Sequence, residues 1–224
     1  QFGEIGITHV FNPAFSIDNN AENEKATYHA NQYSTAWYYD PILLGTYPEY
    51  VVKQLAEKGW TPEWTAEELD ILKVAAPQND FIGLNYYQPQ RVAKNDVQKD
   101  STPKSREQST GAPGNASFDG VYKTVKMADK VYTKWGWEIS AEGFLEGLRM
   151  LKAAYGDVKM YITENGLGDE DLIIQDEIVD VPRIKYIKKQ YGFIYVDHTN
   201  NLARKKKLSF HWYKQMIATR GEEL

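Results

Sequence analysis

The chain has 224 residues, of which 42% are hydrophobic and 25% charged, with a formal net charge of −5 and no cysteine. These proportions are ordinary for a globular domain. The negative charge argues against nucleic-acid binding, which needs a basic face, and the lack of cysteine excludes disulfides, thiolate zinc ligands and a thiol nucleophile. No run of about 18 apolar residues is present, so the sequence predicts no membrane span.

The first 87 residues alternate between strand and helix patterns. Thr65 followed by Glu68 is the capping box that begins a helix, and Gly59 is placed to end the helix before it. The stretch "DFIGLNYY" is apolar nearly throughout, which is typical of a strand covered on both faces. In chain order the patterns predict a strand over 3–11, helices over 19–39, 49–59 and 65–76, and a strand over 80–87.

The rest of the chain continues this alternation. Residues 88–130 are polar, with many Gly, Pro, Ser and Lys residues, which predicts a long loop. Ser140 and Gly156 bracket an amphipathic helix, and a strand at "VKMYIT" follows. The remaining elements are, in order, an acidic loop over 169–180, a short helix at "VPRIKYIKK", a strand over 191–197, a basic turn at "ARKKK" and a terminal helix around "SFHWYKQMI". Such alternation predicts a parallel sheet with helices outside.

Two strand ends carry polar side chains: "NYY" at 85–87 and "TENG" at 163–166. Reacting groups of β/α barrels lie at the carboxyl ends of strands, so Glu164 is the candidate carboxylate, and a tyrosine hydroxyl from the other strand end is suited to hold it. A carboxylate held in this way is able to attack an anomeric carbon. The alternative is a carboxylate that caps the next turn or pairs with a lysine.

The aromatic content is a second notable aspect of the composition. Sixteen tyrosines and six tryptophans are many for this length. Packing explains most such rings, and the alternative is a sugar-binding cleft in which flat rings stack on sugar faces.

A retaining glycosidase also needs a second carboxyl group, about 5 Å from the first, that protonates the leaving group. Glu4 precedes its strand, and Glu138 and Glu142 lie at a helix start, where acidic residues favour the helix dipole. None of the three is a convincing acid, so the sequence supplies one candidate carboxylate without a partner. The histidines show no metal-ligand spacing, so no metal site is expected.

Six stretches, "FIGLNYY", "WGWEISAEGFLEGL", "YITENGLG", "RIKYIK", "YGFIYVD" and "KKKLSFHWYK", resemble the second half of glycoside hydrolase family 1. The resemblance covers nearly the whole chain and implies a (β/α)8 TIM barrel, of which these residues form only part. It implies that Glu164 is the catalytic nucleophile and that Tyr87 hydrogen-bonds and orients it. It also implies that Asn85 lies in the sugar-binding site and that Trp137 lines the aglycone side of the cleft.

Two parts of the family pattern have no counterpart in the sequence. One is the upstream region with the first four strands and the "NEP" motif, which carries the acid/base glutamate. The other is a helix and the eighth strand, which belong between "RIKYIK" and "YGFIYVD". We therefore expect residues 1–224 to form one incomplete barrel domain that lacks its N-terminal half and a segment near 187–191. Three explanations are open: a longer enzyme with segments omitted, one part of a split chain, or a deletion product.

The stretch "KKQYGFIYVD" resembles the phospho-specific branch of the family, in which a Lys-x-Tyr pair binds a phosphate on the sugar's 6-position. Lys189 and Tyr191 match that pair, and a lysine charge with a tyrosine donor suits a phosphate dianion. The alternative is that Lys188 and Lys189 only end a helix, where cations are favourable.

The resemblance thus implies a cytoplasmic 6-phospho-β-glucosidase that needs no cofactor and whose partner is a small phosphorylated β-glucoside. Nucleic-acid and membrane partners are not expected, and a homo-oligomer is left open. Two other interpretations remain. One is a β-glucosidase or β-galactosidase of the same family that acts on unphosphorylated sugars. The other is a fragment that is inactive because it lacks the acid/base glutamate.

Overall fold

The computed structural model describes residues 3–96, 117–118, 120–169, 172–174, 177–187, 194–197, 203–206, 210–211, 214–215 and 218–219. The helices of this part are α1 (Ala21–Asn31), α2 (Trp37–Leu43), α3 (Glu49–Glu57), α4 (Ala66–Ala75), α5 (Ala141–Tyr155) and α6 (Val181–Ile187). The predicted helix over 19–39 is divided, because a π-helical turn at Gln32–Ala36 separates α1 from α2. None of the described helices is long and apolar enough to cross a membrane.

The predicted helix ends are confirmed in the structure. Thr65 and Glu68 form the reciprocal capping box of α4. Ser140 accepts a hydrogen bond from the backbone of Gly143 at the start of α5. Gly156 follows α5 with a φ of 75°, a conformation that glycine adopts without a steric penalty. Local side-chain capping therefore fixes where α4 and α5 begin, and a glycine conformation marks where α5 ends.

A parallel three-stranded sheet is the centre of the fold. Its strands are β1 (Gly6–Val10), β3 (Phe81–Tyr86) and β7 (Met160–Asn165), in the order β1-β3-β7. The register sets Val10 opposite Asn85, and Asn85 opposite Glu164. All three carboxyl ends therefore lie at the same end of the sheet, as the alternation of strands and helices predicts.

One face of β3 supplies the main hydrophobic core. Ile82, Leu84 and Tyr86 alternate along the strand and are fully buried, because they face the covering helices. The opposite parity, with Gly83 and Asn85, faces the side that forms the interior of a barrel. The fully buried members of the cluster are Phe11, Tyr39, Ile82, Leu84, Tyr86 and Leu151.

The prediction of a long loop over 88–130 is wrong in part. A second sheet, in the order β2-β4-β6-β5, consists of β2 (Ala14–Ser16), β4 (Gln90–Lys94), β5 (Ser117–Phe118) and β6 (Tyr122–Thr124). Its strands have five residues or fewer, and the sheet packs against α1 through Val92, Ala26 and Ala30. Such short polar strands carry no apolar alternation, and partners distant in sequence complete their pairing.

Two further predictions are also corrected. The acidic loop over 169–180 contains an antiparallel pair, β8 (Leu172–Ile174) with β9 (Glu177–Val179). The strand predicted over 191–197 is present as β10 (Ile194–Asp197), but it pairs antiparallel with β11 (Ala203–Lys206) instead of joining the parallel sheet. Most of the stretch "ARKKK", predicted as a basic turn, therefore belongs to β11. Positions 210–211, 214–215 and 218 are helical, as predicted for the terminal segment.

Both outer edges of the parallel sheet are unpaired within the described residues, as expected for an open barrel. A groove of about 680 Å³ lies between β1, α2 and α4, with Ile71 and Val74 among its exposed lining residues. A second groove of about 320 Å³ lies where β7 meets α5, beside Ile162. Exposed apolar edges of this kind promote association.

We predict that the 224-residue chain, isolated on its own, binds the dye ANS and self-associates as its concentration rises, because these grooves expose apolar surface. Replacing Ile71 and Val74 by lysine should lower dye fluorescence by about half and favour the monomer. Lysine is a good helix former, so α4 should persist. Light scattering and ANS titration measure both effects. Val131→Lys is the matched control, since Val131 is equally exposed and lies outside both grooves. If Val131→Lys had the same effect as the lysines at Ile71 and Val74, dye binding and association would not be due to the groove.

Candidate active site

Glu164 lies at the carboxyl end of β7, one residue before the strand ends, and its side chain is exposed. The hydroxyl of Tyr87, which follows β3, donates a hydrogen bond to Oε2 of Glu164. The contact joins the ends of adjacent parallel strands across 77 positions of sequence. The structure thus brings together the carboxylate and the tyrosine that the two strand-end motifs single out.

A β-bulge lies directly before the carboxylate. Leu84 pairs with Ile162 and Asn85 pairs with Glu164, so Thr163 is one extra residue in β7. A bulge bends its strand and redirects the following side chain. The hydroxyl of Thr163 donates to Oδ1 of Asn85 at 2.7 Å, which ties the bulge to the neighbouring strand.

The turn after Glu164 is held by three polar contacts. Asn165 donates to the backbone oxygen of Tyr86 at 2.8 Å. Tyr186 and Arg183, both on α6, donate to the backbone oxygens of Gly166 at 2.9 Å and Leu167 at 2.7 Å. Buried backbone oxygens need such donors. Neither α6 residue is among the site residues predicted from the sequence. The "RIKYIK" stretch was the available signal, since both residues belong to it.

The environment of Tyr87 favours its neutral form. Burial raises the pKa of Tyr87 to about 12, and the hydrogen bond to the Glu164 carboxylate acts in the same direction. The ring centroid of Tyr87 lies 5.4 Å from that of Trp137, and the ring of Trp135 stands nearly perpendicular to Trp137 at 5.4 Å. The hydroxyl therefore remains a hydrogen-bond donor at neutral pH, beside an aromatic wall.

A buried ion pair holds the segment that carries Trp137. Arg91 on β4 makes a bidentate contact to Glu138, with Nη2 to Oε1 at 2.6 Å and Nε to Oε2 at 2.9 Å. Glu138 is 3% exposed, and its backbone nitrogen donates to the side chain of Gln88 at 3.1 Å. Since Glu138 adjoins Trp137, this pairing fixes the aromatic wall relative to the second sheet.

The other carboxylates considered as acids also lie elsewhere. Glu4 pairs with Lys159, before the first residues of β1 and β7 and hence at the opposite end of the sheet. Glu142 is exposed in the first turn of α5. Glu138, the third carboxylate considered, is paired with Arg91. Within the described ranges, no cluster of three or more His, Asp or Glu side chains is suited to hold a metal ion.

The predicted site residues thus fall into two groups. Glu164, Tyr87 and Trp137 form a connected set, and Asn85 joins it through Thr163. Lys189 and Tyr191, the predicted phosphate ligands, lie outside the described residues.

A family model for glycosyl hydrolase family 1 matches residues 1–190 and 187–222. The chain belongs to this family, whose members fold as a (β/α)8 barrel. The parallel strands β1, β3 and β7 are accordingly three neighbouring strands of such a barrel.

The similar proteins are longer than this chain. The aryl-phospho-β-D-glucosidase BglC of Bacillus subtilis (strain 168) is 30% identical over 264 residues, which cover 99% of this chain and 54% of the relative. A 6-phospho-β-galactosidase of Streptococcus equi subsp. zooepidemicus (strain MGCS10565) is 30% identical over 261 residues, covering 97% and 55%. The solved structure of a family 1 β-glucosidase from Thermotoga maritima is similar with a TM-score of 0.75 at 25% identity, covering 99% of this chain and 52% of that one. The chain spans about half the length of these proteins.

We predict that Glu164→Gln lowers the pKa of Tyr87 from about 12, because the variant removes the carboxylate charge that opposes ionisation of the phenol. The value should remain above that of a free tyrosine, about 10, since burial is the larger cause and is unchanged. NMR of tyrosine labelled with ¹³C at Cζ, assigned with Tyr87→Phe and titrated from about pH 9 to beyond about pH 12, measures the pKa in both proteins. Glu142→Gln is the control and should leave the pKa in place. An unchanged pKa in Glu164→Gln would contradict the contact.

We also predict that Arg91→Met lowers the free energy of unfolding by about 3–5 kcal/mol, because it leaves the Glu138 carboxylate buried and unpaired. Arg149→Met is the control: its pair with Glu146 is exposed, so the loss should be within about 1 kcal/mol. Urea denaturation measures both losses. The double change Arg91→Met with Glu138→Leu should recover most of the stability. Equal losses for the two single variants would show that the buried pair does not hold this segment.

Proposed function

We propose that the protein to which this chain belongs is a retaining glycoside hydrolase that acts on 6-phospho-β-glucosides, with Glu164 as its nucleophile. The observation that supports this most directly is the hydrogen bond from Tyr87 to the Glu164 carboxylate at the carboxyl ends of adjacent barrel strands. Family membership supplies the reaction class, and the contact supplies a carboxylate held for attack.

The first chemical step follows from this arrangement. The Tyr87 hydroxyl holds Oε2, and we assign the attack on the anomeric carbon to Oε1. The bond from that carbon to the aglycone oxygen breaks, and the aglycone oxygen takes a proton from an acid. Water then cleaves the glycosyl ester at the same carbon, so the configuration is retained. Trp137, beside Tyr87, would bound the aglycone side, and Asn85 would contact the sugar.

The acid and the closing strands belong to parts of the family that this chain lacks. The alignment with the Bacillus protein has 264 positions and includes 99% of the 224 residues, about 222. About 42 positions of the alignment therefore lie opposite gaps in this chain. The two segments that match the family model meet at 187–190. These findings support an incomplete barrel domain over 1–224 with a segment missing near 187–191.

The phosphate preference rests on two separate supports. The names of the Bacillus and Streptococcus relatives both specify phosphorylated sugars. Lys189 and Tyr191 match the Lys-x-Tyr pair of the phospho-specific branch, and a cationic donor beside a phenol suits a phosphate dianion. A family 1 enzyme for unphosphorylated β-glucosides is the second candidate, because the similar Thermotoga structure is a β-glucosidase.

The activity expected of the 224 residues by themselves is narrower than that of the whole enzyme. Ordinary glycosides need their leaving oxygen protonated, and Glu4, Glu138 and Glu142 are all placed or engaged elsewhere. The chain by itself should therefore leave methyl 6-phospho-β-glucoside intact. A leaving group that departs without a proton removes this requirement.

We predict that the chain is labelled by 2-deoxy-2-fluoro-6-phospho-β-glucosyl fluoride. The Glu164 carboxylate attacks C1, the C1–F bond breaks, and fluoride leaves with the bonding pair, so no acid is needed. Intact-mass and peptide mass spectrometry should find one fluorosugar phosphate on the peptide that contains Glu164. The unphosphorylated reagent should react about tenfold more slowly, since one lost charge-assisted contact costs at least about 1.4 kcal/mol.

The matched variants are Glu164→Gln, which should take no label, and Glu142→Gln, which should be labelled as the wild type is. Label on another residue, or on Glu164→Gln, would exclude Glu164 as the nucleophile. Faster reaction of the unphosphorylated reagent would favour the second candidate. No label on the wild type would show that the isolated chain is the inactive fragment.

A further inference from the structure

Thr163 is the extra residue of the β7 bulge, and its side chain lies across the inner face of β3. A Cβ atom built on Gly83 would come within 2.2 Å of Oγ1 of Thr8, 2.9 Å of Cγ2 of Thr163 and 3.0 Å of Oγ1 of Thr163. Contacts under 3.0 Å are essentially absent around real Cβ atoms, so the glycine leaves the space that Thr8 and Thr163 occupy on either side of it. The bulge and the glycine of the adjacent strand therefore fit together as one feature.

From this position the Thr163 hydroxyl reaches Asn85. It donates to Oδ1 at 2.7 Å. The backbone of Asn85 is already fixed, because its oxygen accepts a hydrogen bond from the nitrogen of Phe11 at 2.8 Å and the residue pairs with both β1 and β7. Only the side-chain torsions of Asn85 remain to be set, and the Thr163 hydroxyl sets them.

An asparagine amide has an acceptor end and a donor end. Since Thr163 takes the acceptor end, the NH₂ group of Asn85 is left as the donor end. A sugar hydroxyl oxygen is the kind of acceptor that such a donor selects. Thr163 also directly precedes Glu164, so anchoring the bulge limits the direction of the carboxylate.

We propose that Thr163 is a positioning residue, whose hydroxyl orients the Asn85 amide toward the sugar and, through the bulge, fixes the aim of Glu164. This proposal rests on the proposed glycosidase function for its catalytic consequence, whereas its structural consequence for Asn85 is independent of that function. The residue itself touches no reacting atom.

Two substitutions separate the hydroxyl from the packing. Thr163→Val keeps the branched shape over Gly83 and removes the hydroxyl, whereas Thr163→Ser keeps the hydroxyl. Thr8→Val is the matched control: the hydroxyl of Thr8 faces the same glycine from β1, and the described residues show it in no hydrogen bond to Asn85. Thermal melts followed by circular dichroism establish that each variant folds.

The first measurement is the NH₂ signal pair of Asn85 in ¹H–¹⁵N NMR spectra, assigned with Asn85→Asp. We expect the pair to shift in Thr163→Val and to coincide with the wild type in Thr163→Ser and Thr8→Val. The second measurement is the labelling rate of Glu164 at saturating fluoride reagent. We expect a fall of about 10- to 100-fold in Thr163→Val and a change within about threefold in the other two variants.

Several outcomes would overturn the proposal: an unmoved Asn85 signal in Thr163→Val, a wild-type labelling rate in that variant, an equal loss in Thr163→Ser, or an equal loss in Thr8→Val. A wild-type chain that takes no label would show instead that the isolated chain is the inactive fragment, and the Asn85 signals then decide the role of Thr163 alone.

Discussion

The double pairing of β3 is the constraint on which the rest of the molecule depends. This strand is hydrogen-bonded in parallel to β1 on one side and to β7 on the other, so its own alternation divides the chain into two environments. One parity, with Leu84 and Tyr86, is fully buried against helices and provides cohesion. The other parity, with Asn85 and then Tyr87, carries the polar groups. Parallel pairing brings these groups to the same end of the sheet as Glu164.

Regular pairing alone would not place the carboxylate. The ladder is interrupted by one residue immediately before Glu164, and three side chains then hold the irregular backbone. Thr163 and Asn165 donate to Asn85 and Tyr86 of β3, and Tyr186 donates to the turn from α6. A bulge fixed by side-chain hydrogen bonds is a designed feature and not a defect, and here it keeps an exposed carboxylate in one orientation without burying its charge, which would be costly.

The sequence predicts the parts of this arrangement that depend on local pattern. The strands at β3 and β7, the caps of α4 and α5, and the position of Glu164 at a strand end all follow from nearby residues. The contact from Tyr87 follows from the resemblance to a family. The Arg91–Glu138 pair spans 47 positions, and the second sheet joins strands of two to five residues, so neither leaves a local signal. The bulge is invisible for a further reason: a period-2 pattern does not show where one residue is added.

The open edges of the sheet follow from the small number of strands that pair in it within the described residues. The barrel interior is formed by side chains from all of its strands, and three strands leave the inner side of Glu164 exposed while leaving Ile7 and Ile162 exposed at the edges. In a closed barrel of eight strands, further strands pair with such edges. Closure of a barrel also removes water from its mouth, and a drier site strengthens the electrostatic interactions within it. The unpaired edges of β1 and β7 and the exposure of Glu164 therefore have one structural origin, the small number of paired strands in this sheet.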